Sequence, residues 1–115
     1  MYVGPTSEQV EMYRSQGYLV VHGFMTPEEL HELRVAVEEA VERIGRQRVA
    51  DHDELAESEG YRNSVNLQRL NLWKVNPTVK SYLLHPDLGR MLCELAGIDA
   101  IRIWHDQTFF KPPWG

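Results

Sequence analysis

The chain has a single cysteine, Cys93, among 115 residues. One thiol closes no internal disulfide and builds no cysteine-based zinc site, and it fits the reducing cytoplasm as the expected location. No apolar run approaches the roughly 20 residues a membrane span needs, which argues against a membrane protein. Residues 1–9 lack the basic and apolar regions of a secretory signal. Basic residues are in the minority: 12 Lys and Arg face 17 Asp and Glu, a net charge of -5. That balance excludes the basic stripe of a nucleic-acid surface. The eight glycines are scattered punctuation, so there is no phosphate-cradling loop. Neither a Ser/His/Asp nor a Cys/His arrangement emerges, and there are no internal repeats or low-complexity tracts. What is present, 43% hydrophobic and 25% charged residues, is ordinary for a globular chain. At this length the chain is one small domain or a piece of a larger one.

The elements follow from periodicity. Residues 7–16 read as a helix, with Ser7 as its N-cap and Gly17 as its stop. Tyr18, Leu19, Val20 and Val21 form a β-branched and aromatic run between Gly17 and Gly23, the pattern of a strand buried on both faces. Thr26, Pro27, Glu28 and Glu29 make a capping box with proline at the first helical position. Behind it Leu30, Leu33, Val37, Ala40, Val41 and Ile44 recur at helical spacing, predicting an amphipathic helix of about five turns closed by Gly45. Residues 47–61 are polar and acidic, the pattern of a surface loop. Residues 64–73 are ambiguous, because Val65 and Leu67 alternate while Leu70 and Leu72 shift phase. Pro77 opens a helix through Leu84. Pro86 opens another, with Leu88, Met91, Leu92 and Leu95 on one face and Gly97 as its stop.

The last fifteen residues carry the most chemistry. Ile101, Ile103 and His105 alternate with Arg102, Trp104 and Asp106, the period of a pleated strand. Trp104, Phe109 and Phe110 set aromatic walls beside His105, Asp106, Gln107 and Lys111, a mixture that suits a lined pocket. Pro112 and Pro113 then force an extended exit.

Three segments mimic a two-histidine, one-carboxylate iron centre. His85, Pro86 and Asp87 have the H-x-D spacing, but they lie where a helix starts, and an acid there is favoured by the helix dipole alone. His52, Asp53 and Glu54 lie in the unpatterned acidic stretch and read as a solvated loop. His105 and Asp106 are strand neighbours and point to opposite faces. His22 and His31 have no ligand partner at useful spacing. Lys111, between two phenylalanines and two prolines, reads either as a fixed point charge for an anion or as a snorkelling surface lysine. Trp104 and Tyr18 read first as core residues, and Cys93 as an inert buried thiol.

The ordered pieces resemble the N-terminal part of the phytanoyl-CoA dioxygenase family of non-haem iron(II) and 2-oxoglutarate oxygenases. They are Gln16 to Val21, Gly23 to Leu30, Leu84 to Leu88, Leu95 to Gly97, and the run from Arg102 to Pro113. The resemblance implies an α+β fold in which N-terminal helices back the first strands of a double-stranded β-helix, a jelly roll. Residues 1–115 would be the front part of that one domain. It implies Fe(II) and 2-oxoglutarate as cofactors of the parent enzyme, and hydroxylation of a small organic substrate, or halogenation where the carboxylate ligand is replaced. It makes Lys111 a contact of the 2-oxoglutarate carboxylate, and Gln107 and Trp104 pocket-wall positions. The family's H-x-D pair, second histidine and 2-oxoglutarate-binding arginine follow the Lys-Pro-Pro segment and match nothing up to Gly115. No metal or catalytic role is therefore carried over, and a jelly roll needs about eight strands where this chain supplies two or three. The expectation is a truncated domain, silent on its own. The alternative is a small non-enzymatic α/β module that binds a small acid or pairs with a partner by strand addition.

Overall fold

A computed structural model describes residues 1–44, 67–110 and 113. The predicted loop of residues 47–61, Gly45, the His52 segment and Lys111 lie outside the described residues. In order the elements are α1 (Ser7–Gln16), α2 (Pro27–Ile44), β1 (Leu67–Leu70), a 3-10 turn (Leu72–Lys74), α3 (Pro77–Leu83), α4 (Pro86–Ala96) and β2 (Gln107–Phe110). β1 and β2 pair antiparallel, Leu70 opposite Gln107 and Leu67 opposite Phe110. The class is α+β, as the resemblance implies, with a two-stranded sheet among the described residues. None of the described helices is long and apolar enough to cross a membrane.

Local chemistry explains the helices. Thr26 and Glu29 form the expected capping box: Glu29 N donates to Thr26 Oγ1 at 3.1 Å, and Thr26 N donates to Glu29 Oε1 at 3.0 Å. At α1 the N-cap is Thr6, not Ser7. Thr6 sits in extended backbone and accepts from Gln9 N, while Gln9 Oε1 accepts from Thr6 N. The reciprocal box needs Gln or Glu three residues on, which Thr6 has in Gln9 and Ser7 lacks. Gly17 closes α1 in the left-handed conformation, φ 85°. Asn76 caps α3 by accepting from Thr78 N and Val79 N, and its Nδ2 donates to Ala36 O on α2. One side chain thus ends one helix and ties it to another.

The core lies where α2 meets the 3-10 turn and α3. Ala36, Ala40, Leu72 and Val79 are its buried members, with Leu33, Val37, Val41, Ile44, Trp73, Val75 and Leu83 packed around them. Ala36, outside the predicted stripe, is buried, while Leu30, inside it, is 48% exposed. The rest of the stripe, Leu33, Val37, Ala40, Val41 and Ile44, faces the core as predicted, and Ala36 joins it where the 3-10 turn and α3 pack on α2. A second packing site joins α1 to α4, where Arg14 reaches Glu94 O at 3.4 Å. Between them and residues 18–24 runs an apolar groove of about 380 Å³ lined by Tyr13, Leu19, Val21, Phe24 and Met91 among others.

Four expectations are corrected. Residues 18–21 are not a buried strand: Tyr18 and Val20 stand 62% and 65% exposed, while Leu19 and Val21 turn into the groove. β-rich composition reports an environment, and without a neighbouring strand it makes no ladder. Residues 101–106 lie outside the sheet, which starts at Gln107. Its partner β1 ends at Leu70, and Asn71 enters the left-handed region at φ 61°, swinging the chain into the 3-10 turn. Trp104 is 91% exposed and Tyr18 is outside the core too, so neither packs as expected. Cys93 is half-buried rather than enclosed.

Candidate active site

The site is built around the entry to β2. Asp106 precedes the strand, and both its carboxylate oxygens are engaged. Oδ1 accepts from Leu72 N at 2.9 Å and Oδ2 from Trp73 N at 2.8 Å. Its carbonyl accepts from Asn71 N at 3.0 Å. The strand mouth is therefore fastened to the 3-10 turn by three bonds. Gln107 is the first residue of β2 and Phe109 lies on the same face by strand alternation, both exposed. Thr108, on the opposite face, is half-buried across from Arg69.

On the other side of the 101–106 segment an open groove of about 470 Å³ runs to the start of α4. Leu84, Leu88, Leu92, Ile101 and Trp104 wall it, and His85, Arg102, His105 and Asp106 add polar groups. Trp104 and His105 meet edge to face, ring centroids 6.2 Å apart at 88°. The structure thus puts Trp104 on a groove wall and Gln107 on the strand beside it, outside that lining. Lys111, the third predicted site residue, lies outside the described residues.

The donor set of the described residues does not fit an iron centre. No three His, Cys, Asp or Glu side chains come together among them. The H-x-D segment is a helix start, as expected, but the capping group is the histidine. His85 Nδ1 accepts from Asp87 N at 3.1 Å, so that nitrogen serves the helix start. Asp87 Oδ2 stands 3.9 Å from the same nitrogen. His105 has exposed polar edges, but its neighbour Asp106 has spent both oxygens on backbone amides. No step through iron is therefore derived from these residues.

Sequence reasoning missed the pair of hydrogen bonds that Asp106 accepts from Leu72 N and Trp73 N, which spans more than thirty residues and leaves no local signature. It also passed over Asn76, which a local signal marks: Asn directly before Pro77 at a helix start is the pattern of an N-cap followed by an N1 proline.

Helices together with an antiparallel strand pair, whose polar entrance lies beside an apolar groove, define an α+β protein with its candidate pocket at the entry to β2. The chain belongs to the phytanoyl-CoA dioxygenase family: the family model described as Phytanoyl-CoA dioxygenase (PhyH) matches residues 13–115. No curated protein and no solved structure matches it.

Proposed function

We propose that the protein is an iron(II)- and 2-oxoglutarate-dependent oxygenase that hydroxylates a small organic substrate in the cytoplasm. The observation that carries this reading is the family match from residue 13 to residue 115. Such oxygenases couple oxidative decarboxylation of 2-oxoglutarate to attack on an unactivated C–H bond, and the cofactor supplies that chemistry. This chain contributes helical support, the β1–β2 pair and part of the pocket. Lys111 anchors a cosubstrate carboxylate as a point charge. Trp104 forms an aromatic wall of the pocket, and Gln107, on the strand beside that groove, offers a polar contact to the cosubstrate. The iron ligands and the acid-binding arginine come from outside the described residues, which contribute no catalytic base.

The test is iron-dependent conversion of 2-oxoglutarate to succinate by the protein expressed from its full reading frame. Turnover that requires Fe(II), with a Lys111→Met variant whose KM for 2-oxoglutarate rises at least tenfold, supports the reading. A folded protein that binds 2-oxoglutarate without iron and never releases succinate replaces it with a small-acid-binding module.

A further inference from the structure

We infer that Asp106 is the positioning residue that sets where β2 begins and so where Gln107 meets the cosubstrate; this rests on the oxygenase reading above. The 3-10 turn has its own N-cap position, Asn71, but that residue is left-handed and makes no side-chain cap bond. The acceptors come instead from Asp106, at 2.9 and 2.8 Å, next in sequence to the first residue of β2. A carboxylate needed only to cap a turn would sit at the turn. One supplied from the strand mouth ties two distant segments into a fixed joint. Each oxygen takes one amide, so the carboxylate is held in one orientation, and charge-assisted bonds of this kind are the strong ones. The Asn71 amide closes the joint on the Asp106 carbonyl. Leu70 then meets Gln107 in register with no residue to spare.

The joint also links the pocket to the core. Leu72, whose amide Asp106 receives, is 1% exposed and packs with Ala36 and Ala40. The buried end of the turn is the fixed point, and Asp106 transmits its place to the strand. Substituting Asp106 lets β2 start loosely, and a strand one residue out of register turns Gln107 to the opposite face.

The experiment compares Asp106→Ala, Asp106→Asn and Asn76→Ala with the parent protein expressed from its full reading frame. Asn76→Ala removes the side-chain cap on α3 while leaving both Asp106 carboxylate bonds in place, and serves as the control for lost stability. Asp106→Ala raises KM for 2-oxoglutarate about tenfold while kcat changes less than threefold. Asp106→Asn, which keeps one acceptor, falls between, and Asn76→Ala lowers the melting temperature without moving KM. An unchanged KM in a folded Asp106→Ala overturns the inference. Should the parent show no turnover, the oxygenase reading fails by itself, and amide hydrogen exchange decides the joint. Exchange of the Leu72, Trp73 and β2 amides at least tenfold faster in either Asp106 variant, with Val79 unchanged, upholds the positioning role. Exchange at parental rates overturns it.

Discussion

Single side chains in this protein fasten segments that lie far apart in sequence, and Glu29 shows how such a contact responds to pH. Its Oε1 accepts from the Met1 ammonium at 2.5 Å and from Thr26 N at 3.0 Å, holding the N-terminal arm and the first turn of α2 together. The ammonium, then the Thr26 amide, hold the Glu29 carboxyl below the usual carboxylate range. A carboxyl depressed in the folded state binds its proton more readily when unfolded. Its stabilisation is therefore full above the ordinary carboxylate range and disappears as pH falls through the depressed value. Glu29→Gln is expected to lower the urea midpoint at pH 7, with the gap from the parent closing under acid; a gap that stays constant with pH would show that charge is irrelevant there. Asn76 offers a pH-independent counterpart. Asn76→Ala removes a helix cap worth about 1 kcal/mol, which in a domain of this size lowers the melting temperature by roughly 4–8 °C. Asn76→Asp keeps the acceptor for Thr78 N and Val79 N but loses the donor to Ala36 O, so its melting temperature should fall between the two.

Elements here are legible from sequence wherever their information is local. Pro27 after Thr26, Pro77 after Asn76, and Pro86 after His85 each open a helix, and Gly17 and Gly97 each close one with positive φ. Strands were less legible because a strand is defined by its partner. The alternation over residues 101–106 has the right period and no ladder, while Leu67–Leu70, whose phase reads ambiguously, is the strand that pairs. Face assignment on α2 held for most of the stripe and erred at two positions. Leu33, Val37, Ala40, Val41 and Ile44 face the core as predicted, whereas Leu30 stands exposed and Ala36, left out of the stripe, is buried where the 3-10 turn and α3 pack. That geometry gives opposite expectations for substitutions of similar size. Ala40, fully buried, has no room to grow, so Ala40→Leu should cost about 1–3 kcal/mol through overpacking. Leu72→Ala, at 1% exposure, should cost about 2–5 kcal/mol through the cavity it leaves. Leu30→Ala, at 48% exposure, should stay within about 0.5 kcal/mol. Chemical denaturation of the three variants checks the ranking, and a Leu30→Ala loss as large as that of Ala40→Leu would mean that the core extends to the first turn of α2.

At the scale of the molecule, several large apolar side chains among the described residues stay uncovered: Trp104 at 91%, Val20 at 65%, Phe109 at 63%, Tyr18 at 62% and Ile101 at 48% exposed. Trp104 and Phe109 flank the Asp106 joint in sequence, so part of the uncovered surface adjoins the candidate pocket. The site was legible in sequence to the same depth. The aromatic and polar mixture of the last residues pointed to a pocket, and Trp104, His105 and Asp106 do line a groove, but the exposure of Trp104 depends on which elements cover it, and no local pattern encodes that. Uncovered apolar surface on this scale has a solution consequence, since contiguous patches drive association. The 115-residue chain should bind a hydrophobic dye such as ANS at neutral pH and sediment with a mass that grows with concentration. Replacing Trp104 and Phe109 together by Ser and Thr should reduce both signals several-fold without lowering the midpoint of unfolding, because neither ring packs in the core. A parent chain that stays monomeric at high concentration and leaves the dye dark would mean that these rings are covered in solution, and the pocket edge would then have to be sought beneath them.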